Sequence, residues 1–163
     1  MMAMFQRLLL GIDDSAASGL AVSYATALAR QHSAPVRVLY VNQYLVGGRG
    51  QTTLTFHEAQ GLVDSAVQEF RSYGVDATGE VARATCFNVA ARIAASAQDW
   101  AADAIVLGSH RRGRIRRPFG QGVRERVIQL SALPVLTTPG PLKVRPFHGS
   151  VAGSPPQPIS RRT

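Results

Sequence analysis

The segment LLLGIDDS, residues 8–15, changes within a few positions from a continuous apolar run to acidic and hydroxyl side chains. A short continuous apolar run bounded by polar residues is typical of a strand that is buried on both faces. The serine that closes the segment is typical of a helix start, because its hydroxyl can accept from the first free backbone N–H groups. The segment therefore predicts a buried strand ending at Ile12, followed at once by a helix that Ser15 caps.

The same change recurs later in the chain. The segment DAIVLGSH, residues 103–110, is again apolar and then polar, and apolar strands are also indicated over 36–41, 75–83 and 134–138. Strands that alternate with helices, and whose residues do not alternate in polarity, form a parallel sheet covered on both faces. We therefore predict an α/β fold: an open, doubly wound, five-stranded parallel sheet with helices on both faces.

The helices are predicted from apolar side chains at helical spacing, over residues 16–31, 54–73, 86–100 and 122–130. In the first helix the repeating apolar positions are Leu20, Ala21, Tyr24, Ala27 and Leu28. We expect Thr85 to cap the third helix and Gly79 to weaken the third strand, because glycine offers no side chain for packing. Residues 42–53, rich in glycine and polar side chains, are interpreted as a mobile loop.

Length and composition exclude several classes of protein. The 163 residues are 45% hydrophobic, which suits one folded domain and is too apolar for a disordered chain. No apolar run reaches the ~18 residues of a membrane span, and no basic segment precedes a long apolar one as in a secretory signal. We predict an α/β domain over 1–138 and a flexible tail over 139–163, which holds six prolines.

The net charge of +8 is unevenly distributed along the chain. Residues 1–107 hold seven arginines against nine acids, whereas residues 108–126 hold seven arginines against one acid, and residues 127–163 hold four basic residues and no acid. The excess is therefore confined to one loop region and the tail. Few aromatic residues accompany the arginines, and no helix-turn-helix is evident, so nucleic-acid binding is not expected.

Two strand ends carry the residues best suited to ligand chemistry. In open parallel sheets, ligands bind beyond the carboxyl ends of the strands, where the strand order reverses. Asp13 follows the first strand and Gly108 ends the fourth, and a helix with free N–H groups begins after each. A carboxylate can bind ribose hydroxyls, and a glycine-rich turn can cradle phosphates. The spacing from Gly108 to Gly113 lacks the Lys-Ser/Thr of a Walker A loop.

In order and spacing, the segments 8–15, 38–41, 102–110 and 123–136 resemble the universal stress protein family, over residues 5–138. The resemblance implies the strand order 3-2-1-4-5 and binding of ATP or a related adenine nucleotide, which Mg²⁺ can accompany. It also implies a cytoplasmic stress-response protein that acts by binding instead of turnover. The family's dimer contact would fall on the last strand, at Val135, Leu136, Thr137 and Thr138.

Nucleotide-binding members of that family have an aspartate after strand one, an apolar residue ending strand two and a glycine motif after strand four. The motif is Gly, two residues, Gly, nine residues, Gly, then Ser or Thr; here Arg111 takes the place of the second glycine, and Gln121-Gly122 that of the final pair. The candidate binding residues are Ile12, Asp13, Ser15, Val41, Leu107, Gly108, His110, Arg111, Gly113, Gly122 and Val123.

The departures from the motif leave two hypotheses open. A left-handed conformation would cost Arg111 about 1–2 kcal/mol, and the missing hydroxyl at position 122 removes a bond to charged phosphate worth about 1.5–3 kcal/mol. Arg111, Arg112 and Arg114 could instead supply charge-assisted bonds of similar size. The chain is then either a binder of a nucleotide or another anion at the arginine-rich loop, or a nucleotide-free dimeric interaction protein. A slow ATPase is the least expected alternative, because no catalytic base or metal-ligand set stands out.

Overall fold

The computed structural model describes residues 5–44, 52–108 and 122–139. Five strands, all parallel, form one sheet in the order β3-β2-β1-β4-β5. The predicted α/β fold and strand order are therefore confirmed, and the order reverses between β1 and β4. The elements are β1 (Leu8–Ile12), α1 (Ala16–His32), β2 (Val36–Tyr44), α2 (Phe56–Ser72), β3 (Ala77–Thr85), α3 (Val89–Asp99), β4 (Ala104–Gly108), α4 (Val123–Leu130) and β5 (Val135–Thr138).

The core lies in two layers, one on each face of the sheet. Leu8 and Leu10 of β1 are buried under α1 and α2, whereas Leu9, between them, is buried on the face of α3 and α4. All three leucines are fully buried, and each such side chain contributes about 1.5–3 kcal/mol. The apolar run that opens the sequence is therefore continuous because successive side chains fill different layers of the core.

Helix α1 turns a different face to the sheet than its apolar pattern predicts. Leu20 and Tyr24, two of the apolar positions that repeat at helical spacing, are 36% and 54% exposed. The buried positions are mostly small: Ala21, Val22, Ala25, Thr26 and Ala29. Small side chains bring the helix axis close to the sheet. In α1 this close packing decides which face is buried, although larger apolar side chains are then left exposed.

Gly79 does not interrupt β3. The strand is continuous from Ala77 to Thr85, two residues later at each end than predicted. A Cβ atom on Gly79 would lie only 2.3 Å from Cγ1 of Val63, which is fully buried in α2. The glycine therefore allows α2 to pack directly onto β3.

The third helix begins later than predicted. Thr85 is the last residue of β3, and Asn88, not Thr85, precedes the helix as its N-cap residue. Residues 86–88 form a turn in which the N–H of Asn88 donates to the carbonyl of Thr85 at 2.9 Å. Cys86, predicted within the helix, is half-buried in this turn.

The segment predicted as a mobile loop over 42–53 begins as strand. β2 continues to Tyr44, and Asn42 within it is buried. The Asn42 amide donates to the carbonyl of Leu54 at 2.8 Å, and its Oδ1 accepts from Oγ1 of Thr53 at 3.2 Å. Residues 45–51 lie outside the described residues, as does the predicted tail beyond Pro139. In the part of the chain that the structure describes, no helix is both long and apolar enough to cross a membrane.

Candidate functional site

The site predicted from the sequence lies where β1 and β4 end side by side. Gly11 of β1 pairs with Leu107 of β4, so Asp13 and Gly108 follow this pair at the same edge of the sheet. On the other side of β1, Ile12 pairs with Tyr40, yet β2 continues as far as Tyr44. At about 3.3 Å per residue, β2 and β3 rise roughly 13 Å above the ends of β1 and β4. The site therefore has a floor at β1 and β4 and a wall at β2 and β3.

Asp13 is held in place by the first turn of α1. Its Oδ1 accepts from the backbone N–H of Ser15 at 2.9 Å and from the Ser18 hydroxyl at 2.8 Å, and the Ser15 hydroxyl donates to the same oxygen. The Asp13 N–H donates in turn to Oγ of Ser18 at 2.8 Å. These bonds orient the carboxylate at the start of α1, where the helix dipole favours a negative charge.

Ser15 occupies the N-cap position of α1 as predicted, but its side chain does not cap the helix. Its hydroxyl donates to Asp13, and no side-chain cap hydrogen bond is made. Ser18, which sequence reasoning missed, contributes as much to holding Asp13 as Ser15 does. The signal was present in the sequence as hydroxyl residues two and five positions after the aspartate.

The start of α4 is the second polar end at this edge. Gly122 is its N-cap residue, in an extended conformation, and lacks the side chain that could cap the helix. Val123, the first helical residue, is 41% exposed. Because α4 connects two parallel strands, its N-terminus lies at the carboxyl edge of the sheet, on the same side as Asp13.

Glu125 folds back over the first turn of α4. A Cβ atom on Gly122 would lie 2.3 Å from Oε2 of Glu125, so the carboxylate fills the space that an N-cap side chain would occupy. Nη2 of Arg124 lies 3.0 Å from Oε1 of Glu125. The pKa of Glu125 is lowered, first by a bond from its own backbone N–H and then by Arg124. The charged carboxylate is therefore the favoured form at this helix start.

Helix α2 begins at the same edge, and side chains of its own first turn and N-cap residue satisfy its free backbone N–H groups. Oγ1 of Thr55 accepts from the N–H of Glu58 at 3.2 Å, and Oε2 of Glu58 accepts from the N–H of Thr55 at 2.8 Å. This is a complete capping box. The pKa of Glu58 is lowered by the Thr55 hydroxyl and then by the Thr55 N–H.

The remaining candidate residues fall into three groups. Ile12 is half-buried against the core, and Val41 is at the base of the wall, 9% exposed. Leu107 is 7% exposed and packs into the core beneath the floor, so its backbone is nearer to the edge than its side chain. His110, Arg111 and Gly113 lie outside the described residues. Among the described residues, no cluster of three or more His, Cys, Asp or Glu side chains could hold a metal ion.

Comparison with known proteins gives one family. Residues 4–139 match the universal stress protein family. A solved structure from this family, from Burkholderia pseudomallei, is 22% identical, with a TM-score of 0.68 over 85% of this chain and 99% of that one.

Two further solved structures contain a nucleotide. A universal stress protein from Archaeoglobus fulgidus in complex with dAMP is 23% identical, with a TM-score of 0.62 over 82% of this chain and 98% of that one. A family member from Arabidopsis thaliana with AMP bound is 13% identical, with a TM-score of 0.57 over 81% and 90%. At these identities the similarity concerns the fold. No curated protein sequence matches the chain significantly.

Proposed function

The chain belongs to the universal stress protein family, and from that premise we propose that it binds an adenine nucleotide at the carboxyl edge between β1 and β4. Occupancy of this site, instead of turnover, would carry the signal of a cytoplasmic stress-response protein. The observation that carries the proposal is the Asp13 carboxylate, held by Ser15 and Ser18 at the point where the strand order reverses. Similar proteins with dAMP and AMP bound support adenine nucleotides as the ligand class.

Each part of the edge suits a different part of a nucleotide. The fixed carboxylate of Asp13 can accept from ribose hydroxyls, and charge-assisted bonds of this kind are among the stronger ones. Val41, 9% exposed at the base of the β2–β3 wall, is the apolar residue against which the base would lie. Phosphates would extend toward the start of α4 and the segment 108–126, whose net charge is +6.

Binding without turnover is the mode that the family resemblance implies, and we retain it as part of the proposal. Magnesium, where it accompanies the ligand, would be bound mainly through phosphate oxygens and water.

The proposal is tested by titrating ATP and AMP into the purified full-length protein at low ionic strength by isothermal calorimetry. We expect Asp13→Asn to weaken binding about tenfold or more, because a charged acceptor is lost. Asp64→Asn is the matched control, since Asp64 is an exposed aspartate on α2 that accepts from Gln60 at 2.9 Å. No nucleotide uptake by the wild-type protein, and none co-purifying with it in native mass spectrometry, would overturn the proposal.

A nucleotide-free dimeric interaction protein is the second candidate, favoured by Arg111, Gln121 and Gly122 in place of the motif residues. Within the described residues β5 pairs only with β4, which leaves its outer edge as the proposed dimer contact. Thr137 is exposed on this strand. If the dimer forms there, Thr137→Glu should shift the mass measured by light scattering from two chains toward one. An unchanged mass would exclude this contact.

A further inference from the structure

A cavity of about 380 Å³ lies at the amino edge of the sheet, at the opposite ends of the strands from the proposed nucleotide site. It is formed where the end of α1 leads into β2 and the end of α2 leads into β3. The N–H of Val36 donates to the carbonyl of Asp76 at 2.9 Å and joins these two connections. Small-molecule sites usually measure about 300–1,000 Å³, so this cavity suits a small ligand.

The polar side chains that line the cavity are not engaged with one another. They belong to Arg30, Ser33, Tyr73 and Asp76, and in the part of the chain that the structure describes none of them makes a side-chain hydrogen bond or an ion pair. By contrast, Arg92 and Glu80 pair at 3.0 Å on the other face of the sheet. Arg30 and Asp76 therefore present opposite charges to the same space without neutralising each other.

The backbone around the cavity is fixed by the two helix ends. The N–H of Ala34 donates to the carbonyl of Ala29, and the N–H of Val75 to that of Phe70, both at 3.0 Å. Both ends contain a left-handed residue, which is Gly74 after α2, with φ 76°, and Ser33 after α1, with φ 53°. Serine adopts this conformation less readily than glycine. The end of α1 thus places a hydroxyl side chain at the cavity where backbone conformation alone favours glycine.

We propose that this cavity binds a small zwitterion, a free α-amino acid with an apolar side chain. The ligand carboxylate pairs with the guanidinium of Arg30, and the ligand ammonium pairs with the carboxylate of Asp76. Tyr73, 54% exposed, offers its ring to the apolar side chain of the ligand. The carbonyl ends of α1 and α2 carry partial negative charge, which favours the ammonium group. The proposal does not depend on nucleotide binding, because the two sites lie at opposite edges of the sheet.

The test is an NMR titration of the isotopically labelled full-length protein with three compounds. These are L-phenylalanine, phenethylamine, which lacks the carboxylate, and hydrocinnamate, which lacks the ammonium group. We expect L-phenylalanine to shift the amide signals of Ser33 and Gly74 and to bind about fivefold more tightly than either analogue, since each ion pair is partly exposed. No shift of these signals at millimolar L-phenylalanine, or equal affinity for all three compounds, would overturn the proposal.

Two variants assign the charges individually. Arg30→Gln should remove the advantage of L-phenylalanine over phenethylamine, and Asp76→Asn should remove its advantage over hydrocinnamate. Arg126→Gln and Asp64→Asn are the matched controls, because both residues are exposed and lie outside the cavity, and they should keep both advantages. Retention of both advantages in Arg30→Gln and Asp76→Asn would exclude the assigned pairs. No nucleotide is present in these titrations, so their outcome is separate from that of the proposed function.

Discussion

All four helices begin at the carboxyl edge of the sheet, because each follows a strand of a parallel sheet, and their first turns are built in two different ways. At α2, Thr55 and Glu58 satisfy each other's backbone N–H groups in a complete capping box. At α1, α3 and α4 no N-cap side chain does this, because the Ser15 hydroxyl donates to Asp13, Asn88 makes no side-chain cap bond, and Gly122 has no side chain. The starts of α1 and α4 follow β1 and β4, where the strand order reverses, whereas the start of α3 follows the edge strand β3.

The difference separates a stabilising half of the edge from a proposed binding half. Over β2 and β3, polar groups satisfy one another, as in the capping box and in the bonds from Asn42 to Thr53 and Leu54. Over β1, polar groups instead hold the Asp13 carboxylate at the start of α1, where we propose that the ligand binds.

The largest effect is expected where α2 packs on β3. Gly79→Ala places a Cβ atom 2.3 Å from Cγ1 of fully buried Val63, and such overpacking destabilises by about 1–3 kcal/mol. Gly61→Ala on the same helix has open space and should stabilise by about 0.5–1 kcal/mol. Urea unfolding of both variants measures the difference. Equal stability of Gly79→Ala and the wild-type protein would contradict the close approach of α2 to β3.

The capping box of α2 should contribute about 1 kcal/mol to the free energy of unfolding. Thr55→Ala removes the hydroxyl that accepts from the N–H of Glu58 and leaves that donor without its partner. Ser15→Ala is the matched comparison, because Ser15 makes no side-chain cap bond. We expect this variant to keep most of its unfolding free energy and to lose ligand affinity. If Ser15→Ala costs as much unfolding free energy as Thr55→Ala and leaves ligand affinity unchanged, the contrast between the two helix starts is wrong.

A hydroxyl side chain at the N-cap position of α4 should allow a capping box like that of α2 to form. Gly122→Ser creates the Ser-x-x-Glu spacing of a capping box with Glu125, and Gly122 already has the extended conformation that an N-cap serine adopts. The gain over glycine is a few tenths of a kcal/mol, so the melting temperature should rise by about 1 °C. A fall in the melting temperature would show that Glu125 cannot move to make room for the hydroxyl.

The pH dependence should be the smallest effect, because Glu58 is exposed. Its pKa is lowered from 4.5 in the folded protein, so its stabilisation is present above pH 4.5 and is lost as the pH falls through the lowered pKa. Melting curves should therefore show Glu58→Gln less stable than the wild-type protein at pH 7 and close to it near pH 3. A constant difference between the two proteins would exclude this linkage.

The fold could be predicted well from the sequence, because a strand that is buried on both faces has a continuous run of apolar residues. The runs at residues 8–12 and 104–108 are continuously apolar for that reason. The buried face of α1 was predicted wrongly, because Leu20 and Tyr24 are apolar but the sheet accepts the smaller Ala21 and Ala25. Packing between distant elements, as at Gly79, leaves no local signal.

The candidate site could be predicted only in part. The position of Asp13 at the reversal of strand order follows from the pattern and the family resemblance together. The bonds that hold it, and the return of Glu125 onto its own helix start, depend on side-chain directions that spacing does not specify. His110, Arg111 and Gly113 remain predictions.

Hydrogen exchange in the presence and absence of ATP tests the central claim most directly, because it reports on the starts of α1, α2 and α4 at once. We predict that ATP slows amide exchange in the first turns of α1 and α4, from Ala16 and from Val123, and leaves the first turn of α2, from Phe56, unchanged. Equal protection at all three helix starts, or none at α1 and α4 under conditions where ATP binds, would contradict the account.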